Sequence, residues 1–219
     1  MGDTTTLVID SATEACSVAL VRGGTVIAGE CLLLGRGHAE QLVPMIAALP
    51  GKGRAPRIAV ALGPGSFTGV RVGLAAARAL ALAWGAELCG YPTLALIAAQ
   101  ALDIIGAETG PQAVTVAITG GHGEWFVQDF GADGMPTGPL ASLAPEVAAA
   151  GGAALVAGNQ AAALVARRGS GRALDLRSDA RRFGLLPTAL LTGDTAPLYG
   201  RAPDARLPGG LLPEAAAQG

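Results

Sequence analysis

Aromatic residues make up only 4% of this 219-residue chain, and charged residues only 15%. With so few rings, the core must be built from Ala, Leu, Val and Ile, which dominate the 51% hydrophobic share. Lysine occurs once, at Lys52, ahead of the chain's most glycine-rich loop. A phosphate loop of the form GxxxxGK[ST] is therefore excluded, since that pattern needs its lysine after the glycines. The two histidines, His38 and His122, are far apart, and the three cysteines, Cys16, Cys31 and Cys89, sit in apolar strand-like runs without metal-ligand spacing. Neither set forms the close pairs that bind metals, which disfavours a metal-dependent hydrolase and gives no metal ligands to name. An odd cysteine count with no secretory signal predicts buried free thiols in a reducing compartment. No apolar run of about 18 residues or more escapes Pro, Gly or charge, so the expectation is a cytoplasmic protein without membrane contact. Net charge is −2, with 7 basic and 12 acidic groups up to residue 159 and 8 and 5 beyond it. That asymmetry is too small to predict a nucleic-acid footprint.

The richest stretch is Ala61–Leu88. A short apolar run, Ile58–Leu62, has the length of a buried strand. Gly63, Pro64 and Gly65 punctuate the chain, and Ser66 and Thr68 are both N-cap candidates for a helix from Gly69 to Trp84. That helix carries two charges, Arg71 and Arg78, on one face, and is otherwise too apolar to lie in water. Gly69, Gly73, Ala76, Ala77 and Ala83 are small enough for another backbone to approach. The loop reads either as a tight connection or as an anion seat at a helix N-terminus. It is not a hydrolase elbow, because Pro64 and Thr68 stand where the glycines flanking Ser66 would have to be.

Taken in order, the chain predicts strands at Thr6–Ile9, Ala15–Val21 and Thr25–Leu34, the last two joined across Arg22-Gly23-Gly24 as a hairpin. A helix follows over Gly37–Leu49, then the central strand and helix, a strand Glu87–Gly90, and a helix capped by Thr93 running to about Ile105. This order gives a mixed sheet, three antiparallel strands continued by parallel ones, covered by helices. A seam falls near Gly106–Gln112, dividing the chain into 1–108 and 109–219. Beyond it the pattern restarts, with strands Ala113–Thr119 and Glu124–Phe130 around a Gly120–Gly123 turn. A helix near Pro145–Ala150, a strand Ala154–Ala157, a helix Gln160–Arg168 and a weak strand Leu174–Leu176 follow. The echo hints at duplication. Prolines 187, 197, 203, 208 and 213 predict an irregular, frayed end.

Asp10 ends the first strand beside Ser11 and Thr13, where it can either meet a phosphate or metal or satisfy its own turn. His38 reads as a capping or surface residue, and His122 as exposed in its turn. The ingredients of Ser/His/Asp catalysis exist, but nothing in their spacing joins them.

Several segments together resemble the TsaB (YeaZ) family. They are Leu7-Val-Ile-Asp-Ser-Ala-Thr-Glu-Ala-Cys-Ser-Val-Ala-Leu20, His38-x-Glu40-x-Leu42, Gly63-Pro-Gly-Ser-Phe-Thr-Gly-Val-Arg-Val-Gly73, Pro92-Thr-Leu94 and Pro197-Leu-Tyr199-x-Arg201. The resemblance implies an α/β protein of the actin/Hsp70-like ATPase (RNase H-like) fold, with two related domains of mixed sheets flanked by helices. It also implies a non-catalytic subunit that pairs with TsaD, which transfers a threonylcarbamoyl group to adenosine 37 of tRNAs reading ANN codons. The ATPase TsaE would join the complex, tRNA would be met through it, and the chain alone would form a homodimer. By the same resemblance Asp10, Thr13, Gly63, Gly65, Ser66 and Thr68 form degenerate phosphate loops. Where actin-like ATPases have Asp-x-Gly-Thr, this chain has Ala12, whose methyl occupies the phosphate approach. No cofactor is required by this subunit, and any ATP or ADP would be held in the assembled complex. The implied interface draws on His38, Leu42 and Met45 of one helix and on Gly69, Arg71, Val72, Gly73, Ala76, Ala77 and Leu80 of the next. Two departures stand out: the paired metal-binding histidines of TsaD-like relatives are missing near Glu40–Ala48, and Thr119-Gly-Gly-His122 replaces an Asp-Ala-Arg-like run. A metal-dependent glycoprotease-like hydrolase and an actin-fold small-molecule kinase are the rival readings.

Overall fold

The computed structural model describes residues 4–200, in which two five-stranded mixed sheets repeat one topology. In the first sheet β1 (Thr6–Asp10), β2 (Ala15–Arg22) and β3 (Thr25–Leu33) form an antiparallel meander. β4 (Arg57–Ala61) and β5 (Glu87–Tyr91) then add in parallel, giving the order β3-β2-β1-β4-β5. α1 (His38–Ala48) connects β3 to β4, and α2 (Phe67–Trp84) connects β4 to β5. β1 has a strand on each side and is buried along its whole length, which is why it reads as a continuous apolar run ending in one carboxylate.

After α3 (Thr93–Thr109) the same succession returns. β6 (Val114–Thr119), β7 (Trp125–Phe130) and β8 (Ala141–Leu143) are antiparallel neighbours. β9 (Leu155–Ala157) and β10 (Arg172–Leu174) extend the sheet in parallel, with α4 (Pro145–Ala148) before β9 and α5 (Ala161–Arg168) between them. The order β8-β7-β6-β9-β10 is that of the first sheet, element for element. Duplication, only an echo in the sequence, is explicit in the strand order.

Several expectations are corrected. β8 was not foreseen, and β10 lies two residues earlier than Leu174–Leu176. Thr93 does not cap α3. Pro92 stands at the N-cap and the Thr93 hydroxyl is buried without a partner. The division at 108/109 fails for the last part of the chain. Beyond β10 the backbone returns to the first lobe, where Ala180, Phe183 and Leu186 enter the core shared with β1, β2 and β4. Thr192 then bridges Gly90, and the Leu198 N–H donates to the Leu62 carbonyl at 2.8 Å. Arg201 and the prolines at 203, 208 and 213 lie outside the described residues. α2 is the one helix among the described residues long and apolar enough to cross a membrane. It lies instead on the first sheet, with Val70, Leu74 and Ala77 packed inward.

Candidate functional site

The loop between β4 and α2 is shaped by contact with the turn after β1. Ser66 has extended backbone angles, and its Oγ accepts from the Gly69 N–H at 3.3 Å, so it caps α2. Thr68, the other candidate, lies inside the first helical turn. A Cβ at Gly65 would stand 2.0 Å from the Ala12 carbonyl oxygen, and one at Gly69 2.1 Å from that of Ser11. Backbone and hydroxyl bonds close the same seam, from the Ser66 N–H to the Ala12 oxygen at 2.7 Å and from the Ser11 Oγ to the Gly69 oxygen at 2.8 Å. Only glycine permits so close an approach, which gives these two motif positions a structural reason. The second lobe repeats the device: a Cβ at Gly158, after β9, would lie 2.1 Å from the Ala117 oxygen of β6.

Asp10 is fully buried at the end of β1. Its carboxylate accepts from the Ala12 N–H at 3.1 Å, the Tyr91 hydroxyl at 3.1 Å and the Ser178 hydroxyl. Burial raises its pKa, while the three hydrogen bonds oppose the rise. Of the two readings open for Asp10, the structure favours the one in which it satisfies its own turn, and it adds a tie to the returning segment at Ser178. Next to it, Ser17 Oγ accepts from the Ala180 N–H at 2.9 Å, securing the same segment.

Glu14, Asn159 and Arg177, none of them legible as site residues, join the lobes. Glu14 Oε1 accepts from Asn159 Nδ2 at 2.9 Å and from Arg177 Nε at 2.8 Å. Asn159 Oδ1 in turn accepts from the Thr119 N–H at 2.9 Å. The internal repeat was the available signal, because Gly158-Asn159-Gln160 follows β9 as the glycine loop follows β4. The Glu14 main-chain oxygen also accepts from the N–H groups of Leu34 and Gly35 just before α1. His38 is buried rather than on the surface, and its Nε2 donates to the Thr13 carbonyl at 2.8 Å.

Between the lobes lies a cleft of about 870 Å³. Thr13, Glu14 and Phe67 line one side, and Thr119, His122 and Phe126 the other. An actin-like fold implies ATP in such a cleft, and two N–H groups of the turn after β1 are withheld from its phosphates. The Ala12 N–H is taken by Asp10 and the Ala15 N–H by the Thr13 hydroxyl at 3.3 Å. Asp10 points its carboxylate at Tyr91 and Ser178, and Glu14 brings a second carboxylate to the cleft wall. Among the described residues no group of three His, Cys, Asp or Glu side chains gathers in metal-binding fashion.

The implied interface is also redistributed. Gly69, Gly73 and Ala77 form the inward stripe of α2; a Cβ at Gly73 would lie 2.6 Å from the Ser11 Oγ. His38, Leu42 and Met45 are likewise buried on the inner side of α1. These six cannot face a partner while the chain is folded. Small residues permit close approach by any backbone, and here the backbone is the chain's own. Of the remainder, Arg71 is exposed and Val72, Ala76 and Leu80 are half-buried. The C-terminal segment covers part of α2, with Arg71 Nε donating to the Tyr199 hydroxyl at 3.2 Å and Arg78 to the Thr195 carbonyl at 2.8 Å. The outward stripe is Val72, Ala75, Ala76, Ala79, Leu82 and Ala83, and Leu82 is 87% exposed.

Comparison with known proteins places this geometry. The family profile described as TsaD, tRNA N6-adenosine threonylcarbamoyltransferase, matches residues 33–134. The tRNA threonylcarbamoyladenosine biosynthesis protein TsaB of Escherichia coli is 38% identical over 132 residues, 58% of this chain and 55% of that protein. Its Haemophilus influenzae counterpart is 40% identical over 116 residues, 49% of this chain and 48% of that one. The chain thus spans about half the length of the curated relatives it matches. Solved structures align more fully. A Pseudomonas aeruginosa protein described as similar to the peptidase YeaZ is 31% identical over 83% of this chain and 88% of its own, with a TM-score of 0.67. The YeaZ structure from the same organism gives 29% identity, 83% and 90% coverage, and a TM-score of 0.68. With its motifs, its doubled actin-like sheet order and this match over most of both chains, the protein belongs to the TsaB (YeaZ) family.

Proposed function

We propose that this chain is a non-catalytic subunit of the machinery that makes threonylcarbamoyladenosine in tRNA, working in the cytoplasm by docking TsaD through the outward face of α2. The names carried by its relatives supply the process. The observation that supports docking is the stripe Ala75, Ala79, Leu82 and Ala83, exposed at helical spacing on a helix whose opposite side packs on the first sheet. Covering a Leu side chain contributes roughly 1.5–3 kcal/mol, so leaving one 87% exposed forgoes that gain unless a partner covers it. In this reading TsaD performs the transfer, TsaE and tRNA join through the complex, and a second copy of the chain takes TsaD's place when it is absent. Hydrolase and kinase readings lack support, because Asp10 is fully buried and its carboxylate is bonded to Tyr91 and Ser178. The test is genetic. In cells deprived of their own subunit of this kind, the chain should restore threonylcarbamoyladenosine in tRNA, read by mass spectrometry. Leu82→Glu, made at the same protein level, should not. Restoration by both would remove the α2 face from the function, and restoration by neither would remove the process.

A further inference from the structure

We propose that Glu14 is a positioning residue, through which the second lobe sets how the starts of α1 and α2 are held and, with them, the outward face of α2. The link to that face rests on the docking reading; the hold on the helix starts does not. Each of the four residues in the turn after β1 reaches out of the turn. Ser11 Oγ donates to the Gly69 carbonyl, and the Ala12 carbonyl accepts from the Ser66 N–H, both at the start of α2. The Thr13 carbonyl accepts from Nε2 of His38, the first residue of α1. The Glu14 carbonyl accepts from the Leu34 and Gly35 N–H groups at 3.0 and 2.9 Å, on the approach to α1. One short turn therefore holds the beginnings of both helices.

The Glu14 side chain leads the other way. Its Oε1 accepts from Asn159, just after β9, and from Arg177, just after β10, and bonds to a charged acceptor are the stronger and more directional kind. The Glu14 and Arg177 side chains are only 27% and 30% exposed, so salt screens this pair less than it would a surface pair. Asn159 is itself fixed by the Thr119 N–H, so a displacement of the second lobe pulls directly on residue 14. The turn has no slack to absorb that pull, because the backbone at Gly65 and Gly69 already touches the Ala12 and Ser11 carbonyls. α2 is unbroken from Phe67 to Trp84 and packs on α1, so a shift at its first turn is carried to Leu82, about 22 Å along the axis. The two arrangements that differ are lobes tied at Glu14 and lobes untied there.

Amide hydrogen exchange of the full chain, read by NMR, tests the hold without any partner. In Glu14→Ala the Leu34, Gly35 and Ser66 amides should exchange at least about tenfold faster than in the parent, the change expected when bonds to a charged group are lost. Amides of residues 114–117, inside the second sheet, should keep the parent's rates. Glu14→Gln retains an oxygen for Asn159 and should lie closer to the parent than to Glu14→Ala. Should Glu14→Ala fail to fold, the double variant Asn159→Ala/Arg177→Ala breaks the same tie from the other side and should loosen the same first-lobe amides. The proposal is overturned if a folded alanine variant keeps the parent's rates at Leu34, Gly35 and Ser66, or if residues 114–117 loosen as much. It is equally overturned if Glu14→Gln is as loose as Glu14→Ala. The reach to the α2 face is read as affinity for TsaD, which Glu14→Ala should lower about tenfold. Unchanged affinity beside faster exchange would overturn that reach, whereas a parent chain that does not bind TsaD removes the docking reading and leaves the exchange rates to decide the rest.

Discussion

The Asp10 carboxyl is fully buried, and its hydrogen bonds come from the chain itself. Its position at the end of a central strand is where an actin-like site would use it, but its acceptors are occupied by Tyr91, Ser178 and the Ala12 N–H. Burial, the largest influence, lifts its pKa above the ordinary 3.8. A folded chain that holds this proton more tightly than the unfolded one is stabilised below the unfolded value and loses that stability as pH climbs through the folded value. Asp10→Asn cannot titrate. The stability of the parent minus that of Asp10→Asn, from urea unfolding, should therefore fall as pH rises above 3.8. A difference that is flat or rises with pH would contradict this account of the site. The sequence left Asp10 open between two readings because both put a carboxylate and hydroxyls at a strand end. Its deciding partner, Ser178, comes from a returning segment 168 residues away that no local pattern reveals.

Among the elements, those set by local chemistry were legible. Gly23-Gly24 announced the β2–β3 hairpin, and the order of apolar runs and helices gave the mixed first sheet. β8, only three residues long, leaves too short an alternation to read. At α2 both Ser66 and Thr68 looked able to cap, and the extended backbone of Ser66 with its bond from the Gly69 N–H separates them. Ser66→Ala should cost about 1 kcal/mol in thermal or urea melts, whereas Thr68→Ala should stay within about 0.5 kcal/mol of the parent. Equal losses in the two variants would place the start of the helix elsewhere. Which side of α2 faces inward was not legible either, since the helix is apolar all round and its glycines suit either side. The close contacts at Gly69 and Gly73 decide it, and they turn the opposite stripe outward.

At the scale of the whole molecule, the two copies of one fold unit are joined by Glu14 with Asn159 and by a segment that returns from the second lobe to the first. Glu14 meets Asn159 and Arg177, Asp10 meets Ser178, and the segment from residue 175 onward returns over the first lobe. Glu14 also holds the approach to α1 through Leu34 and Gly35, and α1 packs on α2. The outward face of α2 is thus built on a frame whose lobes are already tied together. In the proposed reading the outward face of α2, and not the small-residue stripe beneath it, carries docking. Size-exclusion chromatography of the chain mixed with TsaD tests it most directly. The parent should co-elute with TsaD, while Leu82→Glu, its stability within about 0.5 kcal/mol of the parent, should elute apart. A Leu82→Glu chain that co-elutes as fully as the parent, or that fails to fold, would contradict the claim.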